Sequence, residues 1–268
     1  MKCKDIDSYF RTAFPFVNWQ TTCDGFKYGD PNREITKIAV GWQSLMESLE
    51  DAAGKGCNLF ITHEPTFPQW DAEHNEAGTE TIKSKEPFLS KSRFLDKHAI
   101  TVYRCHDGWD CFPEYGILDS WSAYLGLGNI VETRKYHNLH EVAPVPAWEM
   151  VEVIAGKLKS LGQQAVEFTG DRNKIVKRIA VGTGAITSLD VMHEMGADFI
   201  VVSDDGLPAY WYKGAIARDL GIPFCTVNHA TAEIPGLRNL VKYLNKQFPD
   251  IETVFAGPEC LFSTCISG

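Results

Sequence analysis

The stretch KIAVGWQSLMESLEDAAGKGCNLFITHE, residues 37–64, has a counterpart in RIAVGTGAITSLDVMHEMGADFIVVSDD, residues 178–205. Each opens with a basic residue and IAVG, a short apolar run of strand character. Each continues with apolar residues at helical spacing: Leu45, Met46, Leu49, Ala52 and Ala53 in the first, Leu189, Met192 and Met195 in the second. Glycine then closes the helix, at Gly54 and Gly56 or at Gly196, and a second apolar run follows. Strand–helix–strand units make parallel pairs with right-handed crossovers, so the duplication predicts an α/β protein of two similar lobes.

Outward from the repeat, ITVYRC (Ile100–Cys105) and PFCTVN (Pro223–Asn228) read as further strands. The second follows a helical stretch, Tyr210 to Leu220, that stops at Gly221. Pro235 predicts a last helix beginning near Ile234, with Leu237, Leu240, Val241 and Leu244 on one face. HNLHEVAPVPAWEM, from His137 to Met150, reads either as an exposed connection or as a strand of the second lobe. The expected division is 1–128 plus 225–268 for the first lobe and 129–224 for the second.

Composition narrows the function. The 268 residues are 44% hydrophobic and 23% charged, which is ordinary for a globular chain with a substantial core. A formal charge of -9 and the lack of a Lys/Arg cluster argue against a protein that grips a phosphate backbone, so no nucleic-acid partner is expected. The chain has no apolar run long enough to span a bilayer, and Asp5 and Asp7 interrupt the place of a signal-peptide core. Eight cysteines, at 3, 23, 57, 105, 111, 225, 260 and 265, form no CxxC pair and suggest no disulfide framework. A reducing cytoplasm without membrane association is the expected setting.

Ligands of parallel α/β sheets gather at the carboxyl ends of strands. There the sequence places His63 and Glu64 after LFIT, His106, Asp107 and Asp110 after ITVYRC, and His229 and Glu233 after PFCTVN. One histidine at a strand end is commonplace. Three strand ends carrying both imidazole and carboxylate are the ligand set of zinc, iron, manganese or cobalt, and a bridging carboxylate can serve two ions. With a helix starting near Ile234, the pair His229 and Glu233 is expected on the strand-to-helix turn rather than on the helix.

Other motifs carry less. VGTGAIT (Val181–Thr187) lacks the third glycine of a dinucleotide fingerprint and reads as a tight turn. SDDG (Ser203–Gly206) either faces the same cleft as His63 and Glu64 or caps the next helix. The chain has no GxSxG elbow, and Cys105 and His106 are strand neighbours that should point to opposite faces.

Taken in order, these segments resemble the dinuclear metal-centre family named GTP cyclohydrolase 1 type 2 homologs, also called NGG-interacting-factor-three-like proteins. YGDPNREITKIAVGWQ looks like the family's GDxxxxV opening, and NLFITHEPTF like its LIxTHHPLxF. VYRCHDGWD is similar to VYxxHTxxD, AVGTGAITSLDVMHEMGADFIVVSD to the GGxG strand–helix–strand unit, and VNHATAEIPG to GHxxxExPG. The resemblance spans nearly the whole chain. It implies two divalent ions per chain (Zn, Fe, Mn or Mg) in a site between the lobes. His63 and Asp110 would hold one, Glu64 and His229 the other, and Glu233 would bridge. It also implies a homohexamer, with His106 as a proton-transfer or substrate-orienting group.

The chain departs from the pattern at Glu64, where the family has a second histidine. Glu64 is either a harder, oxygen-donor ligand, a residue that has left the shell, or a general base. A second departure falls in DDGLPAYWYKG, where Trp211 rather than histidine follows Tyr210. The expected activity is metal-dependent hydrolysis of a small molecule, a cyclic amide, heterocycle or phosphate ester. The GTP of the family's name has no visible reader here. The alternative is a non-catalytic metal-binding scaffold or regulatory protein.

Overall fold

The computed structural model describes residues 1–67, 84–205 and 210–265, with backbone alone for 210–213. The chain forms two compact units, Met1–Phe112 with Leu237–Pro258, and Pro113–Gly236 with Glu259–Gly268.

In the first unit, helix α1 (Cys3–Ala13) is followed by β1 (Gly25–Tyr28), β2 (Ile38–Gly41), α2 (Met46–Gly54) and β3 (Leu59–Thr62). Helix α3 (Phe88–His98), β4 (Thr101–Arg104) and the one-turn helix α4 (Asp107–Asp110) come next, and β11 (Thr253–Phe255) completes the sheet. The sheet order is β1-β4-β3-β2-β11. Strands β11, β2, β3 and β4 are parallel, with Ile38 opposite Leu59 and Leu59 opposite Thr101, while β1 runs antiparallel on β4. Apolar side chains cover both faces, as a sheet flanked by helices requires. Ala39, Phe60 and Val102 join Leu49, Ala52 and Leu95 in one cluster. Across the sheet, Tyr103 packs on Phe10, which stacks on Phe14 at 5.0 Å.

The second unit holds α5 (Ile117–Leu125), β5 (Asn129–Arg134), β6 (His137–Pro146), α6 (Ala147–Leu158), β7 (Glu167–Thr169) and β8 (Ile175–Val181). Helix α7 (Leu189–Glu194), β9 (Phe199–Ser203), α8 (Tyr210–Asp219) and β10 (Phe224–Val227) follow. Its sheet order is β5-β6-β8-β9-β10-β7. Strand alternation sorts its core cleanly. Ile179, Val181, Phe199, Val201, Cys225 and Val227 meet Trp121, Val151 and Ile154 on one face, and Ala180, Ile200, Val202 and Phe224 meet Leu189 and Met192 on the other.

The duplication is larger than the two quoted stretches. Strands β2, β3 and β4 correspond to β8, β9 and β10 as parallel triplets, and each triplet carries an antiparallel edge strand, β1 or β7, that precedes it in sequence. Each edge strand is itself preceded by a helix, α1 or α6. The segment from His137 is a strand as far as Pro146 and then opens helix α6, so it is not an exposed connection. The unit boundaries differ from the expected 128 and 225. Leu118, Trp121 and Leu125 of α5 belong to the core under β8 and β9, and β10 pairs between β9 and β7.

The last helix, α9, runs from His229 to Gln247, and the division between units falls inside it. Its start near Ile234, expected from Pro235, is wrong by more than a turn. The His229 N–H donates to Asp204 Oδ1 (3.1 Å), the Ala232 N–H to the Asn228 carbonyl (3.0 Å) and Thr231 Oγ1 to Asn228 Oδ1 (3.3 Å). These bonds nucleate the helix at His229. Pro235 is then carried in the second turn, where only one backbone hydrogen bond is forgone.

Candidate metal centre

The sheet of the first unit ends two adjacent strands at one edge. β3 stops at Thr62, and the His63 and Glu64 amides both donate to the Trp42 carbonyl (3.1 and 2.7 Å), which turns the chain out of the ladder. Both side chains can therefore leave on the same side. β4 stops at Arg104, and the sequence HDGWD then winds one turn. Trp109, fully buried, anchors that turn against Phe14, Phe112 and Tyr243. Gly108 is required there, because a Cβ would lie 2.2 Å from the Phe14 ring.

Asp24 organises this turn from 82 residues away in sequence. Its Oδ1 accepts the N–H groups of His106 (2.7 Å) and Asp107 (2.9 Å), and its Oδ2 that of Gly108 (2.9 Å). Burial pushes its carboxyl up from the ordinary range, against the opposing pull of these amides.

The result brings four of the expected site residues together. The His63 and His106 rings stack at 4.6 Å. Asp110 reaches both, with Oδ1 3.2 Å from His63 Nε2 and Oδ2 3.6 Å from His106 Nδ1. Glu64 Oε1 lies 3.7 Å from His106 Nε2. His63, His106 and Asp110 offer ligand atoms within 4.8 Å of one another, a group that could hold a metal ion. His63 Nδ1 lies 3.0 Å from the Cys105 carbonyl, which can only accept, so Nδ1 carries the hydrogen. Nε2 faces the Asp110 carboxylate at 3.2 Å, a contact that either a proton on Nε2 or a metal ion can satisfy, so the donor set fits a divalent ion.

The charge on His106 follows from its neighbours. Burial works against the imidazolium, but Asp110, Asp107 and Glu64 together hold its pKa well above the ordinary value. The His106 hydrogen bond in turn holds Asp107 far below the usual carboxylate range. Cys105 is buried and its thiol is pushed well up, which leaves it a core residue.

In the second unit, the start of α9 carries the other expected pair. His229 and Glu233 are one turn apart on the same helix face, not on a preceding turn, with Nε2 2.9 Å from Oε1. His229 Nδ1 lies 2.7 Å from Asp205 Oδ2, so the imidazole sits between two carboxylates. Gly184, with φ +67°, presses its backbone toward this imidazole, and a Cβ there would lie 3.1 Å from Nε2. VGTGAIT is thus a tight turn, its Gly184 amide donating to Ser203 Oγ (2.7 Å). Asp204 caps α9, its Oδ1 accepting the His229 N–H. Gly206 and the Tyr210 and Trp211 side chains lie outside the described residues.

Sequence reasoning missed Asp24, Arg104 and Cys23. Arg104 is buried, with its Nε–H donating to the His63 carbonyl (2.9 Å) and Nη2 3.4 Å from Glu64 Oε2. A basic residue inside ITVYRC was a readable signal, since burying it calls for a carboxylate. Asp24 and Cys23 gave no local signal.

The fold and these strand-end clusters define a duplicated α/β protein with a candidate site for metal ions. The chain belongs to the Duf34/NIF3 (NGG1p interacting factor 3) family, whose model matches residues 1–259. It is 26% identical over 247 residues to the GTP cyclohydrolase 1 type 2 homolog of Clostridium perfringens, covering 88% of each chain. Among solved structures, it matches the Staphylococcus aureus hypothetical protein SA1388 with a TM-score of 0.78 at 19% identity, over 99% of both chains. A Bacillus cereus protein related to NIF3 matches with a TM-score of 0.76 at 13% identity, over 100% of this chain and 99% of that one. The two solved structures support the α/β fold. No helix among the described residues is long and apolar enough to cross a membrane.

Proposed function

We propose that the chain is a divalent-metal-dependent hydrolase of small molecules, working as a cytoplasmic homohexamer. His63 and Asp110 would hold one ion and Glu64 and His229 a second, with Glu233 as a ligand available to both. The observation that carries this reading is the convergence of His63, His106 and Asp110 ligand atoms within 4.8 Å of one another at the strand ends, with His63 Nε2 turned toward Asp110. Bound ions would supply Lewis acidity and lower the pKa of a nearby water toward neutrality. His106, stacked on His63 and within reach of Glu64 and Asp110, is placed to transfer a proton or to orient the substrate. Arg104 keeps Glu64 from being an uncompensated charge beside Asp110. The sparse positive charge favours a neutral cyclic amide or heterocycle, or a monoanionic phosphate ester, over a polyphosphate.

The test is metal content of protein purified without added ions, followed by turnover of cyclic amide, heterocycle and phosphate-ester substrates with and without chelator. Two ions per chain and chelator-sensitive turnover are expected. The variant His229→Ala with Glu233→Ala should lose metal, and unchanged metal content would refute the ligand set. Tight metal binding with no turnover on any class would favour a metal-binding scaffold instead.

A further inference from the structure

Beside the candidate centre lies a second group of ligand atoms that includes sulfur. Cys23 Sγ, His106 and Asp107 each offer one ligand atom, all within 4.8 Å of one another. Cys23 Sγ is 3.4 Å from Asp107 Oδ1, and the same oxygen is 2.9 Å from His106 Nδ1. In a tetrahedral zinc site with bonds of about 2.0–2.3 Å, neighbouring ligand atoms sit roughly 3.3–3.6 Å apart. The Cys23–Asp107 and Asp107–His106 spacings therefore need only a few tenths of an ångström of adjustment, and the third pair lies within 4.8 Å. The other Asp107 oxygen accepts from Thr22 Oγ1 (2.7 Å), which orients the carboxylate as an outer hydrogen bond orients a metal ligand.

The alternative for such a cluster is a cysteine nucleophile. A nucleophilic thiol gives its proton to an imidazole that is itself oriented by a third group. Here the Cys23 thiol meets the Asp107 carboxylate oxygen (3.4 Å) as well as the imidazole, so three donors converge instead of forming a linear relay. Charge points the same way. His106 has Asp107, Asp110 and Glu64 around it, and among the described residues no Lys or Arg pairs with Asp107. The residues are only partly buried, which leaves solvent able to complete a tetrahedron.

We propose that Cys23, His106 and Asp107 form a thiolate-containing site for zinc, distinct from the His63 and Asp110 centre and sharing only His106 with it. Thiolate is a soft donor that selects zinc, whereas the imidazole and carboxylate centre accepts harder ions such as manganese. An ion on the Asp107 side of His106 would also leave hydrogen on Nε2, aimed at Glu64.

Cobalt(II) titration of the full chain tests the site independently of any activity. A near-ultraviolet thiolate-to-cobalt charge-transfer band should appear, and zinc should displace it. Cys23→Ser should abolish the band, with the circular dichroism spectrum unchanged. Asp107→Asn, at a partly exposed position, should weaken cobalt binding at least about tenfold. His63→Ala and Asp110→Asn should keep the band even where they strip metal from the neighbouring centre, so failure of one site is read apart from failure of the other. No band, a band that survives Cys23→Ser, a band lost equally in Asp110→Asn, or unchanged affinity in Asp107→Asn would overturn the assignment.

Discussion

Replacing Arg104 with methionine isolates the electrostatics that let this chain carry Glu64. Arg104 is 2% exposed, and its guanidinium makes a 2.9 Å bond to the His63 carbonyl and a 3.4 Å approach to Glu64. Two unit charges 3.4 Å apart attract by about 5 kcal/mol at an effective dielectric of about 20, before either is desolvated. Removing one partner of a buried pair costs about 3–5 kcal/mol, because the other charge is stranded. The long separation and the 14% exposure of the Glu64 side chain place Arg104→Met near 3 kcal/mol, to be read by urea unfolding of metal-free protein. In a Glu64→Gln background the charge pair is already gone, the bond to the His63 carbonyl remains to be lost, and the cost should fall to about 1 kcal/mol. The cycle therefore predicts a coupling of about 2 kcal/mol. An equal cost in both backgrounds would show that Arg104 serves packing and the His63 carbonyl alone, and the compensation argument would fail.

Two further outcomes follow from the same geometry. His137 and His140 are buried in β6, and burial lowers the pKa of each from about 6.5. Below that value the unfolded chain binds more protons than the folded one. Their stabilising contribution is thus complete above about pH 6.5 and declines as pH falls toward their lowered folded values. His137 also accepts the Ser188 N–H on Nε2 (2.9 Å), a bond that protonation destroys. Denaturation at pH 5 and 7.5 should show this loss, and His140→Gln should reduce it; an unchanged pH slope would remove the buried histidines as its cause. Asp24→Ala, which leaves three amides without their acceptor, should cost about 3 kcal/mol and weaken metal binding through Asp110. Wild-type metal affinity in that variant would show that the HDGWD turn holds itself.

Much of the architecture was legible because it rests on local and repeated patterns. The matching IAVG strands, the helical spacing of Leu45, Leu49 and Ala52, and the closing glycines depend on chain period alone, and both predicted parallel pairs formed. The start of α9 was misread because Pro235 was taken as a helix opener. The bonds that set the true start come from Asp204, a residue on another loop. Lobe boundaries were misplaced for a related reason. Which core Trp121 joins depends on where the chain folds back, and its local pattern is the same in either case.

The sequence by itself determined the class of protein, the repeat and the residue types waiting at the strand ends, since these follow from periodicity and from the chemistry of His, Asp and Glu. Only the tertiary structure decided how the groups act on one another. It set the hydrogen on His63 Nδ1 by placing the Cys105 carbonyl against it. It brought Asp24 across 82 residues to cap the HDGWD turn, put Arg104 against Glu64, and set Cys23 beside Asp107. Proton positions, charge compensation and ligand geometry depend on distances of a few ångströms between residues remote in sequence, and those distances exist only once the sheet has brought the strand ends together.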